Sequence, residues 1–228
     1  MTAQTQTHRH SELKTHSKPQ LRTQSAPDHV AWGDSPDALA DIAQDAINLA
    51  VWARPEQPAV SAAVNALLAA RPSFRFQESG TPDALHRALT EQLSGLGTVE
   101  ALTEDIHLLA DMMSCLFDHE HIGVRLSGLD KAMCPRYHVD RVHCRLITTY
   151  RGPGMMWLPN HAVARGQRAT VPITLPPEQQ LPHQHMPPHA VALCKGDGWP
   201  GNAGRGLIHR SPQPAAEQPR LLLTLDLC

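Results

Sequence analysis

The sequence predicts an α+β fold in which helices come first and strands follow. Up to about residue 121, apolar residues recur at intervals of three and four behind helix-start signals. Beyond it, short runs rich in β-branched and aliphatic residues alternate with Gly, Pro and Asn turns, the pattern of a sandwich or barrel. A chain of 228 residues that is 41% hydrophobic and 18% charged has enough apolar side chains for one large core or two small ones.

Residues 1 to about 30 are polar and without periodicity, so they are expected to be a disordered tail. Ser35-Pro36-Asp37 is a helix start, with Ser as N-cap and Pro at the first helical position. The helix is predicted through Ala38, Ile42, Ala46, Leu49 and Val51 to about Ala53, where Pro55 and Pro58 end it. A second helix is predicted from about Ala59 to Ala70. Thr81-Pro82-Asp83 starts a third, running to about Leu96. A fourth follows Thr98 through Leu102, Ile106, Leu109, Met113, Leu116 and Phe117. Residues 31–121 are thus expected as a helical segment packed on a β domain over 122–228.

Eight strands are predicted in that domain: 122–129, 137–140, 142–150, 155–158, 170–175, 189–195, 207–210 and 220–226. Gly152-Pro153-Gly154 and Asp197 to Asn202 read as turns, and Pro176 to Pro188 as a proline-rich loop suited to substrate selection. No internal repeat is visible.

A net charge of −2 with neutral histidines gives no electrostatic case for a nucleic-acid or membrane-surface partner. No apolar run of about 18 residues argues for a membrane span, and the Thr-, Gln- and His-rich start has no apolar stretch of a secretory signal. The five cysteines, Cys115, Cys134, Cys144, Cys194 and Cys228, form no C-x-x-C pair, and their odd count and scattered spacing do not suit a disulfide framework. A cytoplasmic setting is the simplest expectation. The glycines of Arg151 to Gly154 and Gly201 to Gly204 lack the Lys-Ser/Thr and helix of a phosphate loop, and Ser211 lies in no G-x-S-x-G elbow.

Histidine is abundant, at 15 residues, and clusters at His8, His10 and His16, at His119 and His121, and at His183, His185 and His189. Such clusters suit either metal handling or plain solvation. The sharper signal is Cys134-Pro-Arg-Tyr-His-Val-Asp140. Residues i and i+2 of a strand share a face, so the His138 imidazole and the Asp140 carboxylate converge on one point. His209, in Leu207-Ile-His-Arg210, is a third donor on the penultimate predicted strand. Two imidazoles and one carboxylate leave positions open on a metal. Taken alone, a His-x-Asp pair is equally a core histidine beside a turn-capping Asp. Cys134 or His143 as a fourth donor would favour zinc over iron. Cys134 and Cys144 also read as small core residues, and Trp157 and Trp199 as core or rim packing.

The order His138-x-Asp140, then His209, then Arg220 on the next strand resembles the cupin-like Fe(II)/2-oxoglutarate dioxygenase superfamily over about residues 122–228. The resemblance implies a double-stranded β-helix of jelly-roll type, with His138, Asp140 and His209 on Fe(II). Arg220 would hold the far carboxylate of 2-oxoglutarate, and the substrate, small molecule or protein, is open; strand parity adds the Tyr150 hydroxyl, at the end of the third strand of the domain, as a partner to the same carboxylate. Leu222 stands where the superfamily often has Ser or Thr, and Thr224 follows two residues on. Arg210 or Ser211 would hold the outer nitrogen of an imidazole. The phrases Cys-Pro-Arg-Tyr-His-Val-Asp, Arg-Leu-Ile-Thr-Thr-Tyr-Arg-Gly-Pro-Gly, Lys-Gly-Asp-Gly-Trp-Pro-Gly-Asn and His-Arg-Ser-Pro also resemble an uncharacterised bacterial family of unknown function. Its members are often encoded beside zinc-responsive metallochaperone GTPases. That resemblance implies a metal site, a metallochaperone as partner, and, as the alternative function, zinc storage, delivery or sensing without catalysis.

Overall fold

Two sheets organise the chain. A computed structural model describes residues 27–164, 180–215 and 218–228. The strand predicted over 170–175 lies outside them, as does the predicted tail apart from residues 27–30. Seven strands form the larger sheet: β1 (Val30–Gly33), β2 (Leu49–Trp52), β3 (Arg75–Gly80), β4 (Ile122–Leu129), β5 (Cys144–Arg151), β8 (Val191–Lys195) and β10 (Arg220–Leu227). Their order is β1-β2-β8-β5-β10-β4-β3, and only the β1–β2 pair is parallel. The smaller sheet pairs β7 (Gln184–His185), β6 (Met156–Trp157) and β9 (His209–Arg210), in that order.

From β4 onward the chain alternates between the sheets. It leaves β4 in the large sheet and bridges β9 of the small sheet at His138, then returns as β5. It crosses again for β6 and β7, returns as β8, crosses to β9 and ends in β10. Strands β2, β5, β8 and β10 of the large sheet therefore have two covered faces. On β10, Leu221, Leu223 and Leu225 join the core beneath the helices, while Leu222 joins the core between the sheets.

Helices α1 (Pro58–Ala70), α2 (Pro82–Gln92) and α3 (Glu100–Phe117) lie close to where the periodicity predicts them. Thr81 caps α2 by accepting from the Ala84 N–H at 3.4 Å, and Asp118 closes α3 in the left-handed region at φ 47°. Val60, Val64, Leu67 and Leu68 of α1 and Leu102, Ile106, Leu109 and Met113 of α3 share one buried cluster with Ile122, Leu146 and Leu221 of the sheet. No helix among the described residues is long and apolar enough to cross a membrane.

The first half departs from expectation. The predicted helix over 36–53 is a 3-10 helix only over Pro36–Ala43, after which Leu49–Trp52 is strand β2. Leu49, Ala50 and Val51 are fully buried, Ala50 on one face of the sheet and its two neighbours on the other. A strand covered on both faces loses the period of two, and a short apolar run behind a helix cap then reads as more helix. The segment predicted as helical over 31–121 thus also supplies β1, β2 and β3 to the large sheet.

A buried ion pair ties the helical layer to the sheet. Arg54, beyond β2, donates to Asp105 of α3 at 2.5 and 2.8 Å, and to the His189 carbonyl at 2.8 Å. The Tyr150 hydroxyl donates to the same carboxylate at 2.6 Å. Both ionic side chains are at most 4% exposed. Replacing Asp105 with Ala strands a buried guanidinium and is expected to cost about 3–5 kcal/mol. Tyr150→Phe removes one hydrogen bond to a charged group and is expected to cost about 1.5–3 kcal/mol. Urea unfolding of the two variants checks both the values and their order.

Candidate metal centre

The centre starts from a backbone pairing. His138 and His209 exchange N–H···O=C bonds, both at 3.0 Å, as an isolated antiparallel bridge. In such a pair both side chains leave from one face with Cα atoms about 5.5 Å apart. The predicted strand over 137–140 reduces to this bridge. Pro135 shortens it on one side, and on the other a turn around Gly196 and Gly198 takes over the segment. Asp197 N–H donates to the Asp140 carbonyl at 2.8 Å, and Gly196 N–H to that of His143 at 3.1 Å. A Cβ on Gly196 would stand 2.1 Å from the Val142 carbonyl oxygen, so only glycine permits this approach. The turn also reaches the other partner: the Asp197 carboxylate accepts from Gly206 N–H at 3.0 Å, and Leu207 N–H donates to the Lys195 carbonyl at 2.9 Å.

The side chains complete what the backbone begins. His138 Nε2 lies 3.5 Å from Asp140 Oδ1, and His209 Nε2 lies 3.5 Å from Asp140 Oδ2. The two ring centroids are 4.6 Å apart. Their donor atoms all lie within 4.8 Å of one another, and among the described residues this is the one such cluster of His, Cys, Asp or Glu. Each imidazole directs its Nδ1 at a carbonyl oxygen: His138 at Arg136, 3.0 Å, and His209 at Leu207, 3.2 Å. Those carbonyls only accept, so in the neutral rings Nδ1 carries the proton and the Nε2 lone pairs face the carboxylate. Backbone carbonyls therefore fill the role expected of Arg210 or Ser211.

The electrostatics follow. Burial pushes the Asp140 carboxyl up, but the His138 ring, His209 and the Arg145 cation outweigh it and hold the group down at about 2. The Asp140 carboxylate raises the pKa of His138 against the opposing effect of burial. Burial lowers that of His209, which is only 6% exposed. Arg145, unnoticed in the sequence, donates from Nη1 to Asp140 Oδ2 at 2.8 Å.

Arg220 opens onto the same cavity as His138 and His209. It is 1% exposed, and its guanidinium donates to the Ser211 hydroxyl at 2.7 Å and the Thr149 hydroxyl at 2.9 Å, leaving Nε without a partner. Among the described residues no carboxylate lies within ion-pair distance, and burial lowers its pKa to about 10. Thr224, two residues beyond Leu222, also lines the cavity, with its buried hydroxyl unpaired.

Other predicted residues fall elsewhere. Tyr150 does not reach the cavity. On β5, Arg145 and Ile147 line the cavity and Thr149 reaches Arg220, whereas Tyr150 is one position out of step and turns into the helical core. His143 packs against Trp199 and Phe117, 4.6 and 6.3 Å between centroids, and does not join the donor cluster. Cys134 lines the cavity, yet its sulfur is outside the cluster too, so neither supplies the fourth ligand expected for a closed zinc site. Trp157 is buried in the core between the sheets.

Among solved structures, the chain is similar to a dioxygenase for auxin oxidation from rice (17% identity, TM-score 0.49), covering 84% of this chain and 75% of that one. It is similar to a putative oxygenase from Shewanella oneidensis (10% identity, TM-score 0.46; 87% and 89% covered). It is also similar to a Pseudomonas putida prolyl-4-hydroxylase (13% identity, TM-score 0.42; 83% and 96% covered). No match was found among curated proteins. Residues 33–226 match the family described as protein of unknown function (DUF1826), and the chain belongs to that family.

Proposed function

We propose that the chain is a non-haem Fe(II) oxygenase that uses 2-oxoglutarate as co-substrate, on a jelly-roll scaffold of the double-stranded β-helix type. The alternation of β4 to β10 between two sheets supports that scaffold. The observation that carries the function is one cavity with two complementary features. Three lone-pair donors converge at one part of it, and a buried guanidinium with no anionic partner among the described residues opens at another.

The donor set fits the ion. Two neutral imidazoles and one carboxylate on one side suit Fe(II) and leave positions for further ligands. With both imidazoles neutral, lone pairs of His138, His209 and Asp140 face one another, an arrangement that either a proton on His138 or a divalent ion relieves. Bound iron would supply the oxidising chemistry, with O₂ and the co-substrate. The residues of the chain do the rest. Arg220, steadied by Ser211 and Thr149, offers its fork to the far carboxylate. Ile147, Met155 and Leu222 give the cavity an apolar wall that limits water. The carbonyls of Arg136 and Leu207 fix both imidazoles in the tautomer that a metal needs.

Anaerobic titration with Fe(II) and then 2-oxoglutarate is expected to produce a weak visible charge-transfer band. Full metal loading without such a band would sink the reading. Arg220→Met removes a buried unpaired cation, so the ligand-free variant is expected to melt no lower than the original protein. The same variant should lose the rise in Tm that 2-oxoglutarate gives the iron-loaded original, and a retained rise would show that Arg220 is not the anchor. Binding of an ion must also displace protons. His138 titrates above its ordinary 6.5 and His209 below it. As pH falls through the His138 pKa, affinity is expected to drop about tenfold per unit for one displaced proton, steepening only below 6.5 when His209 also protonates. Anaerobic calorimetry across pH 5.5–8 checks the slope.

A further inference from the structure

Arg145 shares its guanidinium between two carboxylates. Nε and Nη2 donate to Asp226 at 2.7 and 2.8 Å, and Nη1 donates to Asp140 Oδ2 at 2.8 Å. The register of β5 and β10 places Arg145 directly opposite Asp226, so the sheet itself sets the fork. All three side chains are at most 18% exposed.

We propose that Arg145 is a positioning residue that makes Asp140 a one-oxygen ligand. The inference rests on the metal reading above. Arg145 donates to Oδ2, which His209 Nε2 also faces at 3.5 Å, and leaves Oδ1, which His138 Nε2 faces at 3.5 Å, clear of the guanidinium for the ion. A cation bound by both oxygens would sit against the guanidinium and compete for its charge-assisted bond. Held to one oxygen, Asp140 and the two imidazoles contribute three ligand atoms, and one more coordination position stays open for the co-substrate. Lysine could not grip Asp226 with two donors and still reach Asp140 in this geometry.

The test uses Co(II) in place of iron, in the full chain, with the visible d–d spectrum, the Kd of Co(II) and the Kd of 2-oxoglutarate for the Co(II) protein measured separately. In Arg145→Gln, Co(II) is expected to bind at least as tightly as in the original, with an altered d–d spectrum, because a like charge is gone and the second oxygen is released. Affinity for 2-oxoglutarate is expected to fall by roughly tenfold or more, because a coordination position is lost. Asp226→Asn keeps Arg145 but loosens its fork, and is expected to shift the same quantities in the same direction by less. A general loss of structure would weaken both ligands together, and that outcome overturns the proposal, as does an unchanged spectrum in both variants. If the original chain binds no Co(II), the metal reading itself fails. If it binds and only the variant spectra are unchanged, the failure belongs to Arg145 alone.

Discussion

The centre depends on two reciprocal hydrogen bonds between the main chains of His138 and His209. They bring together residues that lie 71 positions apart, and they do so without using either side chain. Because the bridge fixes both Cα positions, the imidazoles emerge side by side, and Asp140 follows by the two-residue repeat of an extended chain. The Gly196–Gly198 turn then braces both arms of the site, one through Asp140 and His143, the other through Gly206 and Leu207. Precision at the donor atoms thus comes from main-chain bonds in the smaller sheet and in one glycine-dependent turn.

How much of this was legible depended on whether the signal was local. His138-x-Asp140 announces itself because parity is a two-residue property, and Arg220 because it opens a strongly apolar strand. Strand β3, Arg-Phe-Gln-Glu-Ser-Gly, offers one buried apolar residue, Phe76; it is a strand because its main chain pairs with β4. Strand β2 was hidden because it is covered on both faces. Tyr150 was assigned to the cavity on a parity counted from the end of β5, and an error of one residue moves a side chain to the opposite face. Arg145 could not be read at all, since its meaning depends on Asp226, 81 positions away, being its neighbour across the sheet.

Two buried arginines show how the faces of the large sheet differ. Arg54 has a carboxylate, a carbonyl and, through Asp105, a tyrosine hydroxyl around it. Its network is closed, and it joins α3 to the sheet. Among the described residues Arg220 has only two hydroxyls, which accept its hydrogen bonds but contribute no negative charge. Hydroxyls can orient a guanidinium without neutralising it. The first arginine is satisfied by the fold, whereas the second has geometry fixed in advance and charge left uncompensated, the condition expected of a group that awaits a ligand.

The same contrast extends to the charge of the whole cavity. With neutral imidazoles, Asp140 and Asp226 offset two of the three arginines at the cavity, Arg145, Arg210 and Arg220, and leave one formal positive charge. A divalent ion alone adds two positive charges to a space that already holds one unpaired guanidinium. A dicarboxylate alone adds two negative charges, one beside Arg220 and the other near the lone pairs of Asp140 and the imidazoles. Together they add no net charge. In a site of low dielectric, each ligand therefore removes the main electrostatic objection to the other. On the proposed reading, the ion and the co-substrate favour each other's binding through the cavity's own charges, and Arg145 and Arg220 are the two residues that make this so. One limits how much of Asp140 the ion takes, and the other supplies the cation that the distal carboxylate neutralises.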